Sequence, residues 1–197
     1  RRITGRRRRR PAKSRSKNRQ LLQKPSGVIA PRVARVGGDR FGMVCIDPAT
    51  YRSEWMMADY YGTLLIEPRT LEHQADQFRA AIARVRQAQQ QHDIRDIIVV
   101  LERTGNYHLA PKNAFASAGF ETRVVHPFAT KQYRTPADPG NKTDETDLHA
   151  QHRAAVAGFG LCEQELPSPY RELQLRTRHR RNLVERVSGL VCQVREH

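Results

Sequence analysis

Ile97-Ile98-Val99-Val100-Leu101-Glu102 decides how this chain folds: five apolar residues in a row, four of them β-branched, end in a carboxylate. A run of that length without polar alternation must be covered on both faces, which predicts a central strand from Ile94 to Leu101. A second run of the same kind, Phe41-Gly42-Met43-Val44-Cys45-Ile46, stops in the same way at Asp47-Pro48. Between the two, Ser53 to Tyr60 and Thr63 to Ile66 read as an antiparallel pair turned at Gly62. Leu71, Ala75, Phe78, Ile82 and Val85 then fall at spacings of 4, 3, 4 and 3 and predict a helix to about Gln91.

Beyond Glu102, Thr104-Gly105-Asn106 supplies a turn, and Tyr107 to Ala118 reads as a helix stopped by Gly119. Thr122 to Val125 is a further strand ended at Pro127, followed by a short helix through Tyr133, an open loop from Thr135 to Gly140, and a helix from near Thr143 to about Val156. Three strands, helix, strand, helix, strand, helix is the order of a ribonuclease-H-like α/β fold, a mixed sheet with an antiparallel meander first and parallel strands after it. Past Pro167 and Pro169 a long C-terminal helix carries Leu183, Val187, Leu190 and Val194 at spacings of 4, 3 and 4, a short heptad seam.

The formal net charge of +15 is unevenly spread. Residues 1–40 hold 15 basic residues and 1 acidic one, with five arginines in succession from Arg6 to Arg10, several Pro, Ser and Gly, and few apolar residues. This stretch is expected to be a disordered arm drawn to nucleic acid by counterion release; a solvated arm or an address signal is the plainer alternative. Residues 41–170 are slightly acidic, 13 basic against 16, and 171–197 are basic again, 7 against 3. The expected organisation is thus a basic arm at 1–40, a catalytic α/β domain at 41–160, and at 168–197 the start of a helical, coiled-coil region that would serve self-association into a homo-oligomer.

Cys45, Cys162 and Cys192 are odd in number and widely spaced, which excludes a disulfide framework and a zinc knuckle and fits a reducing cytoplasm. No apolar run reaches the roughly 18 residues a membrane span requires, and Arg1-Arg2 is followed by no apolar segment of a secretory signal. A chain that starts at Arg1 without Met and ends within a helix is expected to be a piece of a longer one.

Ligands of open α/β sheets bind beside the carboxyl ends of the strands, where Asp47 and Glu102 both stand. Asp144 and Asp147, three apart, share one face of a helix, while Glu145 points elsewhere. Gathered together, such carboxylates repel unless a cation neutralises them, and hard oxygen donors suit Mg²⁺ or Mn²⁺. Two such ions can activate a nucleophile and stabilise the leaving oxygen of a phosphodiester. Taken singly, each acid has a plainer reading: Asp47 as a strand terminator, Asp144 and Asp147 as favourable charge at a helix start. Glu102 is harder to dismiss, because a carboxylate at a buried edge needs a partner. Lys142 and Thr143 are placed to touch phosphate, though Lys142 reads equally well as a solvated side chain. Arg176, Arg178, Arg180 and Arg181 suit a nucleic-acid backbone or simply an exposed helix face.

Four motifs taken in order are more specific than any acid alone: Ile46-Asp47, then Glu102-Arg103-Thr104-Gly105-Asn106-Tyr107-His108, then Val124-Val125-His126-Pro127, then Asn141-Lys142-Thr143-Asp144-Glu145-Thr146-Asp147-Leu148-His149-Ala150. Over about 41 to 160 the chain resembles the amino-terminal, RuvC-like domain of the DEDD transposases of bacterial insertion sequences, relatives of Holliday-junction resolvases and of the pilin-gene invertase. The resemblance implies a Mg²⁺-dependent domain for DNA cleavage and strand exchange in the bacterial cytoplasm, at the nucleoid, with Asp47, Glu102, Asp144 and Asp147 as the metal-binding tetrad. It also implies a second, serine-bearing domain that is absent from these 197 residues, and a partnership with DNA and a structured guide RNA. A stand-alone RuvC-like nuclease and a non-catalytic nucleic-acid-binding fragment are the alternatives to that reading.

Overall fold

The computed structural model describes residues 29–134, 144–163 and 167–196. Five strands form one sheet: β1 (Phe41–Pro48), β2 (Arg52–Asp59), β3 (Leu64–Glu72), β4 (Asp96–Glu102) and β5 (Glu121–Val125). The order across the sheet is β3-β2-β1-β4-β5. β2 runs antiparallel to both β1 and β3, whereas β1, β4 and β5 are parallel. This meander followed by parallel crossovers is the ribonuclease-H-like arrangement, with the two continuous apolar runs side by side at its centre.

Among the described residues there are six α-helices: α1 (Ala30–Val36), α2 (Ala75–Gln91), α3 (Leu109–Ser117), α4 (Pro127–Gln132), α5 (Asp144–Val156) and α6 (Ser168–Glu196). Strand side chains alternate between the faces, and the core is accordingly split in two. Val44, Ile46, Val99 and Leu101 pack on one face with Val85 of α2 and Phe115 of α3. Met43, Cys45, Ile98 and Val100 pack on the other with Ala129 of α4 and Leu148, Ala154 and Ala155 of α5. Burying each of these larger aliphatic side chains contributes about 1.5–3 kcal/mol, which is why Phe41 to Ile46 and Ile97 to Leu101 run without a charged residue up to the acids that follow them.

Several element boundaries differ from the sequence expectation, three of them for a clear physical reason. Leu71, expected to open the helical stripe, lies in β3 opposite Ser53 and is buried from there. Pro68 is tolerated because β3 is an edge strand with no ladder to lose on one side, so the strand continues to Glu72 and α2 starts only at Ala75. The helix expected from Tyr107 begins at Leu109, after Gly105 turns the chain at a φ of 55°.

The larger correction concerns the basic arm. Residues 29–40 are ordered: Ile29 is buried, α1 follows, and a 3-10 turn at Gly38–Arg40 leads into β1. Composition hid an apolar edge, Ile29, Val33 and Val36 at helical spacing, which packs on the α5 face of the core. Residues 1–28 and the loop 135–140 lie outside the described residues.

The chain divides into two compact units, one ending at Cys162 and one from Glu163 to His197. In the second, α6 exposes its heptad positions, Leu183 at 47%, Val187 at 59%, Leu190 at 60% and Val194 at 77%. Among the described residues no helix is long and apolar enough to cross a membrane.

Candidate active site

Parallel pairing of β1 with β4 sets Ile46 beside Leu101, so the next residues, Asp47 and Glu102, end neighbouring strands at the same level. Alternation fixes the face. Met43 and Cys45 precede Asp47 on the α5 side, Ile98 and Val100 precede Glu102 on that side, and Val125, the cross-strand partner of Glu102, belongs to the same cluster. Both carboxylates are half-buried, and the Thr104 hydroxyl lies 3.4 Å from Oε1 of Glu102.

Helix α5 brings the third acid. Gln151 is almost fully buried, and its side-chain amide donates to the carbonyl of Ile46 at 3.0 Å and to that of Val100 at 3.3 Å. These are the carbonyls just before the two strand ends, so Gln151 ties the helix directly to them. Asp147 sits one turn earlier on α5, and its side chain is 7% exposed. Arg134, two residues past α4, donates from Nε to Oδ1 at 2.6 Å and from its terminal nitrogen to Oδ2 at 2.9 Å. Such a bidentate, charge-assisted pair is among the stronger polar contacts a protein makes, and it compensates a carboxylate that burial alone would penalise.

The structure therefore brings Asp47, Glu102 and Asp147 to one end and one face of the sheet. Asp144 is the first residue of α5 by its backbone, three positions before Asp147; Lys142 and Thr143 lie outside the described residues. Arg176, Arg178, Arg180 and Arg181 are on α6, in the other unit, where Arg176 is engaged with Glu172 four residues earlier.

Three contributors were not singled out from the sequence. Arg134 pairs across a loop and leaves no local pattern. Gln151 reaches a residue 105 positions away. Glu54 was within reach of simple counting: β1 pairs Cys45 with Met56 and Asp47 with Glu54, so Glu54 shares the α5 face with Asp47. It accepts a hydrogen bond from the Thr70 hydroxyl at 2.8 Å. His108 and Lys112, one turn apart at the start of α3, are both buried.

A hard divalent ion suits carboxylate oxygens on converging rigid elements. The residue types here fit it, and so does the placement of their elements. As the side chains stand, however, no three acidic, imidazole or thiolate groups among the described residues are gathered closely enough to hold an ion, and both oxygens of Asp147 face Arg134.

Solved structures with the same general arrangement include Thermus thermophilus RuvC in complex with a Holliday junction substrate, 14% identical over 61% of this chain and 99% of that one, with a TM-score of 0.41. An exopolyphosphatase from Cytophaga hutchinsonii is 12% identical over 47% of this chain and 36% of that one, TM-score 0.34. An Aquifex aeolicus member of the Ppx/GppA family is 16% identical over 50% and 39%, TM-score 0.32. The fold assignment rests on the strand order and not on these likenesses. No curated protein matches the sequence. The pattern of the IS110-type DEDD transposases, described as Transposase, matches residues 44–197, from the middle of β1 to the end of the chain. That span takes in every acid placed at the strand ends, and the chain belongs to this family of DNA transposases.

Proposed function

We propose that the unit ending at Cys162 is the catalytic domain of the transposase and that it cuts and rejoins DNA strands with carboxylate-held Mg²⁺ or Mn²⁺. The observation that carries this reading is the shared register of Asp47 and Glu102 on the face against which α5 presents Asp147. Asp144 would complete the tetrad from the first turn of α5. When bound there, the ions supply a metal-activated nucleophile and stabilisation of the leaving oxygen. The protein's part is to hold four acids on two strands and one helix, rigid elements that keep them within reach of one another.

Lys142, Thr143 and the α6 arginines would contact phosphates of DNA, or of a structured guide RNA from the transposon's own element. The exposed seam of Leu183, Val187, Leu190 and Val194 supports self-association through α6. Action on DNA would place the protein at the bacterial nucleoid.

The decisive experiment is Glu102→Gln in the complete transposase. Recombination should be abolished and Mn²⁺ binding by calorimetry lost, with thermal unfolding close to the parent. Recombination at the parental rate would refute the assignment.

A further inference from the structure

We propose that Arg134 is an internal counterion of Asp147 and must release it before Asp147 serves as a ligand. Ion binding at the strand ends is then coupled to displacement of the Arg134 side chain. This rests on the metal reading above and adds an opposing residue that the four acids do not predict.

Asp147 is nearly enclosed, its side chain 7% exposed, and Arg134 covers both of its oxygens with the two arms of the guanidinium fork. A carboxylate so placed needs a compensating partner, because desolvation without compensation is costly. That partner is Arg134. A divalent ion arriving at Asp147 meets a fixed positive charge at contact distance from the same carboxylate, and like charges so close in a partly desolvated site repel strongly. A carboxylate can share its oxygens between a guanidinium and an ion, but with the fork on both of them the ion gains its ligand as the guanidinium lets go.

The placement of Arg134 lets it be the one that leaves. It stands two residues past the end of α4, outside regular structure, and its side chain is 26% exposed against 7% for Asp147. Swinging it into solvent breaks no helical hydrogen bond. Asp147, by contrast, is fixed on α5, next to the buried Leu148 and one turn before the strand-end tether of Gln151. Exchange of Arg134 for the ion would keep Asp147 neutralised throughout and guard the acids against ions too weakly held to displace the guanidinium.

Two other roles share the same geometry and predict opposite signs. Were Arg134 to orient Asp147 for the ion, removing it would weaken ion binding; were the pair purely structural, ion binding would be indifferent to it. The test uses the 197-residue chain, with Arg134→Gln and Arg134→Lys, titrated with Mn²⁺ by calorimetry and followed by thermal unfolding with and without Mn²⁺. Arg134→Gln should unfold at a lower temperature without the ion, bind Mn²⁺ about tenfold more tightly, equivalent to about 1.4 kcal/mol, and gain more from Mn²⁺ than the parent does. Arg134→Lys keeps the charge but not the fork and should fall between the two. Unchanged or weaker binding in folded Arg134→Gln overturns the proposal, and weaker binding in Arg134→Lys does so should Arg134→Gln not fold. Binding by Arg134→Gln but not by the parent would be its strongest support. No binding by any of the three would remove the metal reading itself.

Discussion

Strand β4 begins at Asp96 and ends at Glu102, and its two ends treat acidic residues differently. At the amino end, Arg32 of α1 lies against Asp96, Nε to Oδ2 at 2.9 Å, and reaches Glu121 at the start of β5 at 2.6 Å. Arg35 adds a contact to Asp96, and Arg123 one to Glu121 at 2.7 Å. Two carboxylates there meet three guanidinium groups, and Arg32 also stands over the Phe41 ring. At the carboxyl end Asp47, Glu54 and Glu102 stand on three strands and Asp147 on the helix α5, and the pair that stands out is Arg134 on Asp147. The first arrangement closes a network and holds α1 in place. The second sets acids at the strand ends with the Arg134 fork on one of them, which suits the exchangeable cation proposed above. On that reading the same residue types serve cohesion at one end of a strand and chemistry at the other.

Breaking the cohesive end should have the largest effect on stability and none on ion binding. Arg32→Ala removes the partner shared by two half-buried carboxylates, leaving Asp96 with Arg35 and Glu121 with Arg123, and unties α1 from both, for an expected loss of about 2 kcal/mol by thermal or denaturant unfolding. Mn²⁺ affinity should stay at the parental value; a parallel fall would mean that the two ends are coupled. Acid sharpens the same contrast. The hydrogen bond from Arg32 holds the Asp96 carboxyl below its ordinary value of 3.8. A group depressed in the folded state contributes stability above its unfolded value and loses it as pH falls through the folded one. The stability gap between the parent and Asp96→Asn should therefore be full near neutrality and close below about pH 4. A gap that persisted undiminished at pH 3 would show that packing, not ionisation, sets the Asp96 contribution.

The next test addresses the tether at the chemical end. Gln151→Leu removes two hydrogen bonds to strand-end carbonyls, but it also removes a buried Oε1 for which no hydrogen-bond partner is found among the described residues. The two terms oppose, so the net stability loss should be only about 1 kcal/mol. Ion affinity should fall about threefold to tenfold, because Asp147 loses its fixed distance from Asp47 and Glu102. A large stability loss with unchanged affinity would make Gln151 a core residue with no bearing on the site.

Legibility in the sequence follows the same division. The central strands and the acids that end them were readable because an unbroken apolar run stopped by a carboxylate is a local signal, as at Ile97 to Glu102. Helix α1 was not, since its cohesion comes from Arg32 meeting acids 64 and 89 residues away, while its own stretch looks like the rest of a basic arm. Arg134 and Gln151 were hidden for the same reason: each acts on a partner that no spacing rule connects to it. Glu54 is a different kind of omission. Its position follows from pairing β1 with β2 and counting from Met56, a relation between strands that no motif in its own stretch announces.

The smallest effect is expected at Glu54, and it is the one that tells how wide the acidic end is. Glu54 faces Asp47 across an antiparallel pair, on the same side of the sheet, a separation of about 5 Å between neighbouring backbones. One of its oxygens takes the Thr70 hydroxyl, and it is half-buried. Its charge therefore adds to the field at Asp47, screened by solvent, without the enclosure that marks Asp147. Glu54→Gln keeps an acceptor for Thr70 and removes only the charge, so the fold should be unaffected. Mn²⁺ affinity should drop about twofold to threefold, the size of a screened electrostatic contribution of about 0.5 kcal/mol. A loss of tenfold or more would make Glu54 a ligand in its own right, and the carboxylate set would then extend to β2. No change would confine the working acids to β1, β4 and α5, and would leave Glu54 as the strand-pairing partner of Thr70.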